Sequence, residues 1–85
     1  MRSEYDAEAD AAYIRFSETP SSRTEEGSDV CMVDFDTAGK LVAIELLSAF
    51  GFAGASLYAL VQKGLLSRQD AERLLRELRS ALVTA

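Results

Sequence analysis

Residues 30–47 read VCMVDFDTAGKLVAIELL, and this stretch decides the fold. Two apolar runs flank Asp36-Thr37-Ala38-Gly39, which has Asp at the first and Gly at the fourth position of a type I turn. The reading is a β-hairpin. A register with Phe35 opposite Lys40, Val33 opposite Val42 and Cys31 opposite Ile44 places Cys31, Val33, Phe35, Val42, Ile44 and Leu46 on one face. Asp34, Ala43 and Glu45 then fall on the other. Sliding by one residue would set Asp34 against Val42 and mix the faces, so the hydrophobic pattern selects the first alignment. A fully buried large apolar side chain is worth roughly 1.5–3 kcal/mol. That face is therefore the expected centre of the core.

Upstream, residues 2–6 make a short strand candidate, and the Asp6-Ala7-Glu8-Ala9-Asp10 run reads as a turn because aspartates bond nearby backbone amides. From Ala11 to Ser17 the chain alternates, with Ala12, Ile14 and Phe16 on one side and Tyr13, Arg15 and Ser17 on the other. These two segments form an expected first hairpin. Residues 18–29, ETPSSRTEEGSD, are polar and include the only proline, Pro20, which belongs to a loop or edge. Residues 23–26 are a candidate edge strand, charged against unwanted pairing.

Downstream the pattern changes to helix. Residues 48–54, SAFGFAG, read as a bend, and a helix is expected over 53–63 from Ala53, Leu57, Leu60 and Val61 at spacings of three and four. Gly64 suits a left-handed C-terminal cap. Ser67 suits the next N-cap, with Asp70 three residues on. A second helix from Arg68 to about Val83 carries the apolar stripe Ala71, Leu74, Leu75, Leu78 and Leu82. The fold class these segments predict is α+β. It has an antiparallel sheet of four to five strands, in two hairpins, packed on one face by two C-terminal helices.

Eighty-five residues make one domain, with 1–48 as the sheet core and 49–85 as a helical extension. A chain of this size buries only about 60–65% of its unfolded surface, so oligomerisation is an expected supplement. The single cysteine, Cys31, allows no intrachain disulfide and no zinc spacing, and histidine is absent. The start of the chain is acidic by Glu4, unlike a secretory signal. The longest uncharged run, residues 46–62, is too short and too polar for a membrane span. A cytoplasmic chain without a membrane association is the expectation. Net charge is −5: residues 1–45 hold eleven acids against four bases, and residues 46–85 five bases against three acids. Such a sheet half repels phosphates, which argues against direct nucleic-acid binding.

Residues 5–16, YDAEADAAYIRF, together with VDFD at 33–36 and GKLVAIELL at 39–47, resemble the small bacterial family catalogued as domain of unknown function 2283. The resemblance covers roughly residues 3–48. It departs from the family's pattern at Ala12, where a larger aliphatic is usual, and at Ala43, where glycine is usual. It implies a small sheet with C-terminal helical packing and no established activity or catalytic residues. Some members of the family are encoded beside small toxin-like proteins, which implies an antitoxin-like or partner-binding role.

Chemistry is sparse. Asp6, Glu8, Asp10, Asp34 and Asp36 are weak metal candidates, because clustered carboxylates can hold calcium or magnesium. They do not follow an EF-hand pattern, and turn capping accounts for Asp6, Asp10 and Asp36. Cys31, on the inward face with no histidine to activate it, reads as an inert core thiol. No catalytic residue and no cofactor are expected. Two functions remain. One is a non-catalytic interaction module that forms a homodimer or docks a small protein through Leu57, Leu60, Val61, Leu74, Leu75, Leu78 and Leu82. The other is an acidic ligand- or divalent-cation-binding domain with enzymatic use.

Overall fold

The computed structural model describes residues 2–84, and the side chains of residues 2–80. Five strands come first: β1 (Arg2–Asp6), β2 (Ala11–Arg15), β3 (Arg23–Ser28), β4 (Cys31–Phe35) and β5 (Leu41–Leu47). Helices α1 (Ala49–Gln62) and α2 (Arg68–Thr84) follow. All neighbouring strands are antiparallel, in the order β1-β2-β5-β4-β3. The last strand in sequence is thus the central one. It joins the first hairpin to the β3-β4-β5 meander, which is why the opening stretch governs the architecture.

The central register differs from the simplest alternation. Val33 lies opposite Ile44 and Cys31 opposite Leu46, two residues along from the expected pairing. Two extra residues cause the shift. The turn is a three-residue loop, in which the Gly39 amide donates to the Asp36 carbonyl at 3.0 Å and the Asp36 amide to the Lys40 carbonyl at 2.9 Å. Gly39 takes φ 81°, which closes the loop as a glycine bulge. The second irregularity lies between the Asp34–Ala43 and Phe35–Leu41 pairs and leaves Val42 unopposed. Each step of one would flip the faces, and two restore them. Cys31, Val33, Phe35, Ile44 and Leu46 accordingly all join the core cluster. Between the two irregularities the parity is reversed. Leu41 packs against the cluster there, and Val42 is buried outside it.

Both helices cover one face of the sheet. Ala49, Ala53, Leu57 and Leu60 of α1 and Ala71, Leu74 and Leu78 of α2 close over Ala12, Ile14, Val33, Ile44 and Leu46. Helix α1 begins at Ala49, four residues before the expected start, and absorbs most of the segment read as a bend. Its end matches expectation. Gly64, at φ 74°, donates to the Val61 carbonyl, and Leu65 donates to that of Leu60, the two bonds of a Schellman cap. Ser67 caps α2 by accepting the Asp70 amide at 3.0 Å. Between them, Leu66 is buried and Leu65 half-buried, pinning the short linker to the core.

The other sheet face carries no helix. Several of its polar groups are bonded there: Arg15 donates to the Tyr13 hydroxyl at 3.0 Å and to the Thr19 carbonyl at 2.7 Å, and the Thr24 hydroxyl to Asp34 at 2.6 Å. Among the described residues, no helix is long and apolar enough to cross a membrane.

Candidate functional site

The five candidate carboxylates are distributed over two turns, the end of β1 and the middle of β4. Asp6 accepts the amides of Glu8 and Ala9 at 3.0 and 3.2 Å, which folds the first turn onto itself. Asp36 does the same in the central turn, accepting the Ala38 and Lys40 amides at 2.9 Å each. Asp34, mid-strand on the open face, takes the Thr24 hydroxyl. Glu8 is exposed. Among the described residues, no group of three or more Asp, Glu, Cys or His side chains could hold a metal ion.

Asp10 has the widest reach. It sits in the left-handed region at φ 50°, where aspartate is better tolerated than most residues. Its carboxylate Oδ1 accepts the Tyr5 hydroxyl at 2.7 Å and, forty positions away in sequence, the Phe50 amide at 3.0 Å. Its carbonyl takes the Ala49 amide at 2.9 Å. Those amides are the first two of α1. The residue next to the helix, Ser48, is itself left-handed and makes no side-chain cap bond. A turn residue of the first hairpin, just before the Ala11–Leu47 pair of the adjacent strands, therefore caps α1 and places an anion at the positive end of the helix dipole.

The phenol of Tyr5 is held above its ordinary pKa of 10.0, first by the hydrogen bond to Asp10, then by burial and by the charges of Asp10 and Asp6. The folded chain therefore keeps this proton longer than the unfolded chain. Its contribution to stability is complete below about pH 10 and is lost as pH rises through the folded-state value. Tyr5→Phe is expected to show a shallower alkaline fall in melting temperature than the parent chain. Parallel declines above pH 10 in the two proteins would refute this.

Cys31 is 1% exposed, and burial raises its thiol pKa, opposed by the nearby Lys63 ammonium. Lys63 also donates to the Gly27 carbonyl, above the same corner of the core. A buried thiol with a raised pKa is a poor nucleophile, so the expected inert role fits its placement.

The interface candidates divide. Leu57, Leu60, Leu74 and Leu78 are at most 1% exposed, so their surfaces are spent inside the chain. They hold α1 and α2 to the sheet and offer little to a partner. Val61 and Leu75 are half-buried, on the wall of an open groove of about 200 Å³ between the helices, with Gly54 and Tyr58. The Leu82 side chain lies outside the described residues.

Exposed apolar surface is found elsewhere. Phe50 is 76% exposed, Phe52 54% and Tyr58 59%. Gly51, Gly54 and Ala55 lie exposed among them. At 100° per residue, Ala49, Ala53, Ser56, Leu57 and Leu60 face the core, Gly51, Ala55 and Tyr58 face directly away, and Phe50 and Phe52 lie on opposite flanks. Reading residues 48–54 as a bend hid this face. The available signal was the uncharged run 46–62, which is too apolar for a helix with one buried side.

These features define a small α+β domain whose acidic turns serve the backbone and whose first helix exposes an uncharged aromatic face. The chain belongs to the family described as Protein of unknown function (DUF2283), whose model matches residues 2–49. Neither a search of curated proteins nor one of solved structures returned a match. The family match takes in the whole sheet, the Asp10 turn and the first residue of α1, and the aromatic face lies beyond it.

Proposed function

We propose that this chain is a non-catalytic protein-interaction module, acting in the cytoplasm, that engages another protein surface through the outward face of α1. The carrying observation is the exposure of Phe50, Phe52 and Tyr58 on a domain with only 5215 Å² of surface. Taking 150–250 Å² per ring, the three leave about 400 Å² of aromatic surface in water. Phe50 and Phe52 flank α1 on opposite sides with Tyr58 between them, so this surface is spread around the outward half of the helix, and exposed apolar surface on that scale supports an interaction site. Aromatic residues are also the side chains that dominate binding at interface centres. The Asp10 cap supports the reading, because it fixes the start of α1 and so presents Phe50 on a held element.

A photoreactive phenylalanine analogue placed at position 50, irradiated in cells, is expected to give protein adducts. The same analogue at exposed Glu25 on β3 should give none. Equal yields at the two positions, or none at either, would overturn the reading. An antitoxin-like role within it predicts that the position-50 adduct contains the product of a neighbouring gene. The acidic-ligand alternative has less support, because Asp6, Asp10, Asp34 and Asp36 each accept bonds within the chain. Calorimetric binding of calcium, magnesium or manganese in the millimolar range would restore it.

A further inference from the structure

We infer that the open face of the sheet, opposite the helices, receives an extended basic segment of another protein, laid across the strands with a cationic side chain at every third residue. This surface is separate from the outward face of α1, and neither needs the other.

The strand registers build a row that crosses the whole sheet. Glu4 lies opposite Tyr13, Tyr13 opposite Glu45, Glu45 opposite Met32 and Met32 opposite Glu26. A carboxylate therefore stands on every second strand, with Tyr13 and Met32 between. The row is on the helix-free face, because the residues flanking its central three, Ala12 and Ile14, Ile44 and Leu46, Cys31 and Val33, all belong to the core. Adjacent strands are about 4.8 Å apart, so the three acidic positions follow one another at about 10 Å and span about 19 Å.

These three carboxylates are the uncommitted ones. On the same face Asp6 accepts the Glu8 and Ala9 amides, and Asp34 the Thr24 hydroxyl. The two cations of the face, Arg2 and Arg15, lie opposite each other in the next row, each 3.8 Å from Glu18. The side chains of Glu4, Glu26 and Glu45 have no hydrogen bond or ion pair among the described residues. A face that only had to stay wet would set opposite charges across neighbouring strands. Here the intervening positions hold a half-buried aromatic ring and a half-buried, adaptable thioether, side chains that interfaces favour. An open hollow of about 200 Å³ lies among Glu4, Asp6, Tyr13 and Glu45. The Tyr13 hydroxyl accepts from Arg15, which fixes the ring in that hollow.

Charge names the occupant. A neutral or acidic surface docked here would strip water from Glu45 and give nothing back, which is strongly unfavourable. Arginine supplies what the hollow lacks, since it bonds carboxylates in a bidentate manner and stacks on aromatic rings. Spacing names the conformation. A polyproline II chain has three residues per turn and rises about 3.1 Å per residue, so every third side chain shares a face at about 9.3 Å. That step matches the distance between alternate strands.

Calorimetry with a peptide of three arginines, successive ones separated by two prolines, tests this. It is run at about 0.1 M salt, where exposed charges more than about 10 Å apart are largely screened. A control peptide has the same residues with its arginines contiguous. The spaced peptide is expected to bind roughly fivefold more tightly than the control, or better. Glu45→Lys, at the exposed centre of the row, should weaken it by roughly tenfold or more, and Glu26→Lys by a smaller factor. Glu72→Lys makes the same charge change on the exposed surface of α2 and should leave the affinity at the parent's value. Equal affinity for the two peptides, or an equal loss in Glu72→Lys, would reduce the effect to net charge and overturn the row as a docking site. Absence of binding by both peptides would overturn it too. Spermidine that displaces the spaced peptide at equal concentration would make the occupant a free polyamine and overturn the choice of a protein segment. None of these results bears on the α1 reading, which stands or falls on adducts at position 50.

Discussion

Leu60→Ala is expected to lower stability by about 2–5 kcal/mol, the cost of deleting a buried leucine and leaving a cavity. A chain of this length has in total about 4–13 kcal/mol at 0.05–0.15 kcal/mol per residue. The variant should therefore melt about eight or more degrees lower, at about 4–8 °C per kcal/mol for domains of this size. The site cannot easily collapse around the loss. Leu60 is fully buried, and the residue beneath it on β3 is Gly27, which has no side chain to move in. A β-carbon at Gly27 would stand 3.0 Å from Leu60 Cδ2 and 3.3 Å from Cys31 Sγ. Glycine at position 27 thus leaves the room that Leu60 and Cys31 fill. Gly27→Ala alone should destabilise by about 1 kcal/mol or more through overpacking. In the Leu60→Ala background the same methyl group enters the vacated space, so its cost should shrink or reverse. Urea unfolding of all four proteins at one protein concentration measures this coupling. An equal cost for Gly27→Ala in both backgrounds would mean that the two residues do not pack on each other.

The strands were legible because alternation is a local property. β1 occupies its expected residues, and the inner face of the central hairpin emerged correctly although its register did not. The glycine bulge after Asp36 and the irregularity at Val42 each displaced the pairing by one residue. Their effects on face parity cancel beyond Val42, so only Leu41 and Val42 exchanged roles. The start of α1 was not legible for a different reason. Its cap comes from Asp10, forty positions before Phe50, and no local pattern at residues 48–54 announces it. The small, apolar, glycine-containing composition of SAFGFAG made that segment look like a bend. Four of the seven interface candidates, Leu57, Leu60, Leu74 and Leu78, went to the core for a related reason. Helical spacing identifies apolar stripes but does not say which stripe meets the sheet. The leucines took the core, and the aromatic residues remained outside.

Asp10→Ala is expected to cost about 2–3 kcal/mol, and its value lies in the order of three substitutions. Removing the cap accounts for about 1 kcal/mol, within a range of 0.5–2. Placing alanine in the left-handed region, at the φ of 50° that Asp10 adopts, adds about 1–2 kcal/mol. Asp10→Gly relieves the backbone and loses the cap and the Tyr5 acceptor, as alanine does, so it should cost less than alanine. Asp10→Asn keeps a side-chain oxygen for the Tyr5 hydroxyl and the Phe50 amide and tolerates the same backbone. It should cost least. Denaturant unfolding of the three variants tests the order Asn, then Gly, then Ala. Equal losses for glycine and alanine would show that the left-handed backbone contributes nothing. A loss in Asp10→Asn as large as in Asp10→Ala would mean that the negative charge, and not the oxygen, is what the site requires. A carboxylate that binds a cation would give that second pattern, and calcium or magnesium would then raise the melting temperature of the parent chain alone. A carboxylate that caps a helix gives the order Asn, then Gly, then Ala, with no response to either ion. The ion response, read beside the three variants, therefore decides whether the most connected acid of the YDAEAD segment serves the fold or a ligand.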